Sequence, residues 1–293
     1  MPSAVVDVLR AHEAPVRLVK PGPEGILVTA DTDMTLCLWR GRELADKRDL
    51  RSVDQRRRPI DRIRDVAFSL DGRTLYLACG ARLVATATAT GEELWDYRAP
   101  EFIPFLLSSP MDAIVEPSGT LVVPFDNGTF ERISPEGKRL LRKRDNDSPN
   151  WIAAVGTDAF IGCDGYHVCR WRLHDGVKLA KERPFDHAFD FAYSDKAGAA
   201  IVRDASEVVL FEPDGPSLPH RIPVRPGTPH VAASSDSPRL AYIDGDEAVV
   251  LSTEGGPGAR VAGGEPPLVS LSFGHGGSFI TGHADGGVRI WET

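Results

Sequence analysis

The chain has 293 residues, of which 42% are apolar and 26% are charged, and its formal net charge is −8. These values are ordinary for a globular protein with a large core, and the acidic balance argues against nucleic acid as the main partner. The first residues show no basic segment before a long apolar run, and no run of about 18 apolar residues occurs, so we expect neither a signal peptide nor a membrane span. The four cysteines form no CxxC pair, which indicates buried free thiols in a cytoplasmic protein.

The first predicted element is a strand, Ala4–Arg10, and a turn that recurs along the rest of the chain follows it. The turn comes after a short apolar strand each time and returns every 39 to 47 residues. Its seven occurrences are Glu24-Gly25, Asp71-Gly72, Ser118-Gly119, Asp158-Ala159, Ala197-Gly198, Ser237-Pro238 and Gly276-Gly277. A second turn lies 16 to 19 residues after each of the first six. Because small and polar residues suit tight connections, the pattern predicts hairpins.

Strand-length runs rich in β-branched and aromatic residues lie between these turns. Examples are Thr74–Ala78, Thr120–Val123, Val208–Phe211 and Val288–Trp291. No segment has a sustained 3.6-residue apolar period. Four short strands in each unit of about 40 residues are typical of a propeller blade. Seven units therefore predict an all-β, seven-bladed β-propeller, with residues 1–293 forming a single domain.

The two ends of the chain predict how the propeller closes. After Gly255 the next second turn would fall near residue 294, so the seventh unit has three strands and lacks its outer one. The strand Ala4–Arg10 has no partner of its own in the first unit. We expect it to complete the last blade as its outer strand, which removes an exposed sheet edge.

The last unit carries a resemblance to a known family. Ser278–Thr293 is similar to a WD40 repeat, with Trp291-Glu292 in the place of the family's Trp-Asp pair. Leu36–Trp39 resembles the same strand in the first unit, and Leu9–His12 resembles the family's Gly-His segment with Ala in place of Gly.

The resemblance implies a disc with a central channel that acts as a rigid platform for other proteins. Phe211 and Leu251 stand where the family has Trp, so the family's His–Ser/Thr–Asp–Trp hydrogen-bond network is expected to be only partial. His12 and His283 occupy repeat positions, and we interpret them as structural. The repeats of this chain are degenerate in its middle units.

Two neighbouring connections between units are longer than the others. From the second turn to the next first turn they span 31 and 28 residues, against 21 to 23 in the third to sixth units. In the implied architecture both emerge on the same face. The basic loop 51–62 and the apolar loop 100–110 hold the predicted partner-binding residues, which together with Trp151 are Arg56, Arg57, Arg58, Phe102, Ile103, Phe105 and Leu106.

A basic loop beside an apolar loop suits an acidic, partly apolar peptide or protein surface. The alternative is that Phe102, Phe105 and Leu106 form a satellite core under their loop while the arginines are solvated. Trp151 could equally contact a partner or pack in the core. Binding of nucleic acid or a phosphorylated ligand through Arg56–Arg58 is a third option, and it would show a steep salt dependence.

A catalytic alternative rests on acidic residues at corresponding places of the innermost strands. Asp65, Asp112 and Asp190 would surround one mouth of the channel, with His187 and His230 at a similar level. Such a rim could hold a divalent cation or act as an acid–base pair in a metal-dependent hydrolase or lyase. Solvation explains polar residues at a wet channel mouth equally well. We therefore expect a non-catalytic scaffold or adaptor with no cofactor and no metal, monomeric by itself.

A further basic cluster falls on the outer strand of the third unit. It consists of Lys138, Arg139, Arg142, Lys143 and Arg144. Charge on an edge strand discourages aggregation, so we interpret the cluster as a solvated edge.

Overall fold

The computed structural model describes residues 4–50, 63–98, 109–145, 147, 149–213, 219–253, 259–261 and 265–292. Within these ranges the chain forms 28 strands arranged in seven four-stranded sheets, each an antiparallel meander. Two 3₁₀ turns, Pro23–Gly25 and His275–Gly277, are the helical elements of the described part. The prediction of an all-β, seven-bladed propeller is confirmed.

The first three sheets use strands β2 to β13, and β1 precedes them. Their bounds are β1 (Ala4–Arg10), β2 (Val16–Pro21), β3 (Ile26–Asp31), β4 (Thr35–Arg40), β5 (Glu43–Asp49), β6 (Ile63–Phe68), β7 (Thr74–Cys79), β8 (Arg82–Ala87), β9 (Glu93–Tyr97), β10 (Ile114–Val115), β11 (Leu121–Phe125), β12 (Thr129–Ile133) and β13 (Arg139–Arg144).

The fourth to seventh sheets use the remaining strands. Their bounds are β14 (Trp151–Val155), β15 (Ala159–Cys163), β16 (Val168–Arg172), β17 (Lys178–Glu182), β18 (Asp190–Ser194), β19 (Ala199–Arg203), β20 (Glu207–Phe211), β21 (His220–Pro223), β22 (Val231–Ala233), β23 (Arg239–Asp244), β24 (Glu247–Ser252), β25 (Ala259–Val261), β26 (Leu268–Phe273), β27 (Phe279–His283) and β28 (Gly287–Glu292).

The predicted turns lie where the hairpins reverse. Gly72 and Gly119 have φ of 67° and 83°, a left-handed conformation that a residue with a Cβ adopts only with strain. In the fourth sheet Gly156, with φ of 56°, takes the same conformation just before the predicted Asp158-Ala159 turn. Local turn chemistry therefore sets the boundaries of these strands.

The N-terminal strand completes the seventh sheet, in agreement with the predicted closure. β1 pairs antiparallel with β28 from Ala4 opposite Glu292 to Arg10 opposite Gly287, with a bulge between Val5 and Asp7. The sheet order is β1-β28-β27-β26, so a strand from the start of the chain takes the outer position of the last sheet.

The residues group into two compact units. Unit 1 comprises residues 1–21, 25–48 and 182–293, and unit 2 comprises residues 22–24 and 49–181. The single domain over 1–293 stays a prediction. No helix within the described ranges is long and apolar enough to cross a membrane.

Each unit has buried apolar clusters between neighbouring sheets. In unit 1, Leu9, Val16, Leu27, Trp39 and Val288 pack together where the seventh sheet meets the first. A comparable cluster in unit 2 joins the third and fourth sheets through the following residues: Val122, Phe130, Ile152, Phe160, Cys169, Trp171 and Leu173. Burial of these faces is the main stabilising term of such sheets.

Candidate functional site

A buried polar network ties together the first sheet. The indole Nε1 of Trp39 donates to Thr29 Oγ1 at 2.9 Å, and Thr29 lies 2.7 Å from Nε2 of His12. Nδ1 of His12 is 2.9 Å from Asp31 Oδ2. All four residues of the family's network are therefore present here: His12 lies between β1 and β2, Thr29 and Asp31 lie on β3, and Trp39 lies on β4. The network supports a structural role for His12.

Three other tryptophans, Trp291, Trp171 and Trp95, make similar internal bonds. Trp291 donates to Thr281 Oγ1 at 2.9 Å, and that hydroxyl lies 2.8 Å from His283 Nε2. Trp171 donates to Asp145 at 3.1 Å, and Trp95 donates to the carbonyl of Pro135 at 2.7 Å. These indole groups fix neighbouring strands and sheets.

The two buried histidines make stability depend on pH. Burial lowers the pKa of His12 from 6.5, although the hydrogen bond with Asp31 opposes this. Burial likewise lowers the pKa of His283. Below about pH 6.5 the unfolded chain therefore binds protons that the folded chain does not. The free energy of unfolding should fall as the pH drops from about 6.5 towards the folded-state pKa values, and it should level off below them. Urea unfolding between about pH 7.5 and 5.5 measures this slope.

Substitution of single histidines tests whether the buried ones cause this pH dependence. His12→Gln should flatten the slope over this interval, whereas His220→Gln, at an exposed position of β21, should leave it unchanged. Equal slopes for the parent protein and His12→Gln would contradict the assignment.

Each aspartate of the predicted channel mouth is bonded to the next sheet. Asp112 Oδ2 accepts the backbone N–H of Ile152 at 2.7 Å, and Asp190 Oδ2 accepts that of Val231 at 2.9 Å. Asp65 Oδ2 accepts a longer bond, 3.3 Å, from the residue after Asp112. The three carboxylates thus occupy corresponding places because each joins the innermost strands of adjacent sheets. A charge-assisted bond to a backbone N–H is a sufficient structural role for such a group.

In unit 1 an exposed aromatic side chain accompanies the predicted histidines. The ring centroids of Phe189 and His187 are 4.8 Å apart, and Phe189 is 46% exposed. His230 Nδ1 lies 3.5 Å from Asp190 Oδ2. Burial raises the pKa of the Asp190 carboxyl, and His230 partly opposes the shift. Phe189 was not predicted as a site residue from the sequence, because an aromatic residue at the start of a strand is usually a core residue.

The apolar loop 100–110 ends in a hydrogen-bonded anchor in unit 2. The backbone N–H of Ser109 donates to Asp126 Oδ1 at 2.9 Å, and the N–H of Asp126 donates back to the Ser109 carbonyl at 3.0 Å. Pro110 forms a bridge with Phe125 at the end of β11. The last residues of this loop are therefore fixed to the end of the third sheet at which its innermost strand begins, which we call the entry end.

Trp151 is connected to this anchor through the hydrogen bond of the residue that follows it. It is the first residue of β14 and is partly buried, and the next residue, Ile152, donates its backbone N–H to Asp112. Asp112 follows the anchor by two residues. The entry ends of the third and fourth sheets are thereby joined, with Trp151 at the junction.

Tyr166 adds a second aromatic side chain to the entry end of the fourth sheet. Trp151 pairs with Cys163, the last residue of β15, and Tyr166 lies in the turn that follows. Its side chain is 50% exposed. Asp164 Oδ1 accepts the backbone N–H groups of Tyr166 and His167 at 2.7 and 2.6 Å. Tyr166 was missed in the sequence, where the only signal is one aromatic residue in an otherwise polar turn.

Seven of the predicted partner-binding residues cannot be placed. Arg56, Arg57 and Arg58, like the apolar loop side chains Phe102, Ile103, Phe105 and Leu106, lie outside the described residues. Trp151 is the member of that set that the structure describes. The other described features of the entry end are the anchor of loop 100–110 and the turn that contains Tyr166.

One group of acidic and imidazole side chains has the spacing of a cation site. The ligand atoms of Asp147, Asp164 and His167 lie within 4.8 Å of one another. However, Asp147 already accepts hydrogen bonds from Lys178 at 2.6 Å and Lys181 at 2.8 Å. Although burial raises it, these lysines hold the pKa of Asp147 below its ordinary value. The group is an ion-pair network, and we assign no metal to it.

Comparison with known proteins agrees with the architecture. A family model described as WD domain, G-beta repeat matches residues 261–292. No curated protein matches the chain in sequence. Among solved structures, the crystal structure of BamB from Moraxella catarrhalis is similar, with a TM-score of 0.68 and 14% identity over 99% of this chain and 100% of that one. At this identity the likeness shows the fold alone.

The predicted resemblance rested on the two ends of the chain, and the matched residues lie at one of them. The other end holds the complete network of Trp39, Thr29, His12 and Asp31. Together with the seven four-stranded sheets, these observations support a WD40-type β-propeller.

Proposed function

We propose that the chain is a non-catalytic scaffold or adaptor that binds a partner protein through the entry end of its third and fourth sheets. The observation that carries the proposal is the hydrogen bond from Ile152 to Asp112, which holds the anchor of the apolar loop beside Trp151. A WD40-type propeller suggests a platform for protein interaction, and the entry end presents aromatic side chains suited to such contacts.

Rigid aromatic side chains are the first element of that chemistry. Trp and Tyr provide large contact areas at a small cost in side-chain entropy, and they are enriched among residues that dominate binding energy. Tyr166 is presented by a turn whose backbone N–H groups are bonded to Asp164, so little ordering is needed on binding. Preorganisation of this kind increases affinity.

The two long loops define the chemistry of the partner. Loop 100–110 would add an apolar centre, and the guanidinium groups of Arg56, Arg57 and Arg58 would bind carboxylates at its rim. We infer a partner surface that is acidic and partly apolar. A protein partner fits the net charge of −8 better than nucleic acid does, and we place the protein in the cytoplasm as a monomer.

A metal-dependent hydrolase or lyase at the channel mouth is less well supported. Asp112 and Asp190 already accept backbone N–H groups at 2.7 and 2.9 Å, so a cation would compete with these bonds for the carboxylate oxygens. Those N–H groups belong to the innermost strands of the neighbouring sheets, so the exchange would weaken the joints between sheets.

Truncation of the two aromatic side chains tests the proposal. We expect Trp151→Ala and Tyr166→Ala each to weaken partner binding about tenfold or more, since anchors of this type contribute on the order of 2 kcal/mol. Affinity capture from native lysate identifies the partner, and titration of the purified partner then measures the dissociation constant. Deletion of residues 101–109 should abolish binding.

Leu94→Ala and Leu179→Ala are matched controls. Both leucines are about half exposed but lie on the outer strands β9 and β17, away from the entry end. These variants should bind the partner like the parent protein. Unchanged affinity in the two aromatic variants, with unchanged thermal unfolding, would refute the proposal.

A further inference from the structure

The outer strand of the third sheet, β13, is basic throughout in a protein of net charge −8. Its sequence, RLLRKR, holds four cations and no anion, and Lys138 precedes it directly. Like charges in a row repel one another, which costs stability unless other charges compensate them. The question is therefore which groups neutralise this strand.

The chain itself neutralises the strand only in part. Arg142 Nε lies 3.4 Å from Oε1 of Glu131, which is fully buried on the neighbouring strand β12. Arg139 makes a side-chain hydrogen bond to Tyr97. Lys138 and Lys143 are exposed, and neither forms an ion pair with any residue in the described ranges. Among the residues that the structure describes, no acidic side chain lies within 4.0 Å of either ammonium group.

In the adjoining fourth sheet, acidic side chains of the chain itself neutralise the lysines of the outer strand. Its outer strand β17 also carries two lysines, and both are paired. Lys178 contacts Asp145 at 2.7 Å and Asp147 at 2.6 Å, while Lys181 contacts Asp147 at 2.8 Å. Lys138 and Lys143, at the outer edge of the third sheet, have no such ion-pair partner among the described residues.

Protection of the sheet edge does not account for the charge of β13. The strand already has a bulge, because the register with β12 shifts between Arg132 and Ile133 and leaves Leu140 as the extra residue. A bulge by itself disrupts strand addition at an edge. Leu140 is 56% exposed in the middle of the cations. Leu140 lies two and three residues from Lys138 and Lys143, which have no ion-pair partner among the described residues, so this stretch is a contact surface of mixed chemistry.

We propose that β13, together with Lys138, binds an acidic protein segment in which Asp or Glu residues flank an apolar residue that contacts Leu140. This surface lies on an outer strand and is separate from the entry end of the proposed function. Carboxylates of the segment form the ion pairs that the described residues leave open at Lys138 and Lys143. The apolar residue of the segment covers Leu140.

A short acidic segment fits this surface better than nucleic acid. Electrostatic attraction is screened within about 10 Å at ordinary ionic strength, so a short segment senses mainly the basic strand, whereas a long polyanion also meets the acidic remainder of the protein. Base stacking would need free aromatic faces. Phe130, opposite Lys143, is fully buried, and the polar atoms of Trp95 and Tyr97 are bonded to the Pro135 carbonyl and to Glu131.

Fluorescence anisotropy with a labelled peptide of alternating Glu and Leu tests the proposal on the full chain. The parent protein should bind it, more weakly as salt is raised. Lys138→Glu combined with Lys143→Glu should reduce the affinity about tenfold, since attraction is replaced by repulsion at two positions. Arg183→Glu with Lys196→Glu is the matched control, because both residues are exposed and the net charge changes equally. The control should bind the peptide like the parent protein.

A second comparison tests the apolar contact. Leu140→Gln should weaken binding of the Glu–Leu peptide but leave binding of a Glu–Ser peptide unchanged. The proposal is overturned if the parent protein does not bind the Glu–Leu peptide, if the control pair loses as much affinity as the test pair, or if Leu140→Gln affects both peptides alike. Tighter binding of a single-stranded oligonucleotide of equal charge would also overturn it.

Discussion

Trp171→Ala should lower the free energy of unfolding by about 3 to 5 kcal/mol, because truncating a buried aromatic side chain leaves a cavity. Trp171 is fully buried, and its ring stacks on Phe160 with centroids 5.1 Å apart and meets the edge of Phe130 at 5.9 Å. The variant also removes the indole donor of Asp145, which keeps Lys178 as its partner. Chemical unfolding in urea measures the loss.

Two further variants show whether packing or the hydrogen bond dominates this loss. Trp171→Phe keeps an aromatic ring and loses the donor, so it should cost about 1 to 2 kcal/mol. Leu179→Ala, on the next strand of the same sheet, truncates a side chain that is 49% exposed and should change stability by less than about 0.5 kcal/mol. A Trp171→Ala variant as stable as the Leu179→Ala variant would contradict the packing account.

Asp31→Ala should lower the free energy of unfolding by about 3 kcal/mol, because several buried groups lose one acceptor. Its Oδ2 is 2.9 Å from Nδ1 of His12, and its Oδ1 accepts the backbone N–H groups of Asp33 and Thr35, each at 2.9 Å. The side chain is almost completely buried. Without the carboxylate, His12 and two N–H groups are left without this partner.

Two comparison variants, a conservative substitution of Asp31 and a substitution of the exposed Asp33, measure how much the network contributes to stability. Asp31→Asn keeps an acceptor oxygen for the turn, so it should cost less than Asp31→Ala. Asp33→Ala, in the same turn but with its side chain outside the network, should cost little. Thermal unfolding followed by circular dichroism compares the three, and equal midpoints for Asp31→Ala and Asp33→Ala would contradict the role of the network.

The repeat and the strand boundaries could be predicted from the sequence because both depend on local chemistry. Turn residues such as Gly72 and Gly119 have the positive φ that their position demands. The closure by β1 was also predictable, since a strand at one end of the chain and a missing strand at the other end have one simple solution. Sheet geometry then confirmed this arrangement.

The entry end could be predicted only in outline. An enlarged apolar connection and an aromatic residue at a strand start can be recognised in the sequence, but their proximity depends on bonds between residues far apart in the chain. The bond from Ile152 to Asp112 spans 40 residues. Tyr166 gave almost no signal, because its exposure follows from how Asp164 folds the turn backbone.

The sequence by itself determined the period, the seven sheets and the strand positions of the aspartates, because turn and strand preferences act over a few neighbouring residues. Only the tertiary structure decided what those aspartates do. Asp65 and Asp190 bond to backbone groups 48 and 41 residues away, on the next sheet. A pattern of residue types specifies which face a carboxylate lies on, but not which N–H group the folded neighbour brings within hydrogen-bond distance.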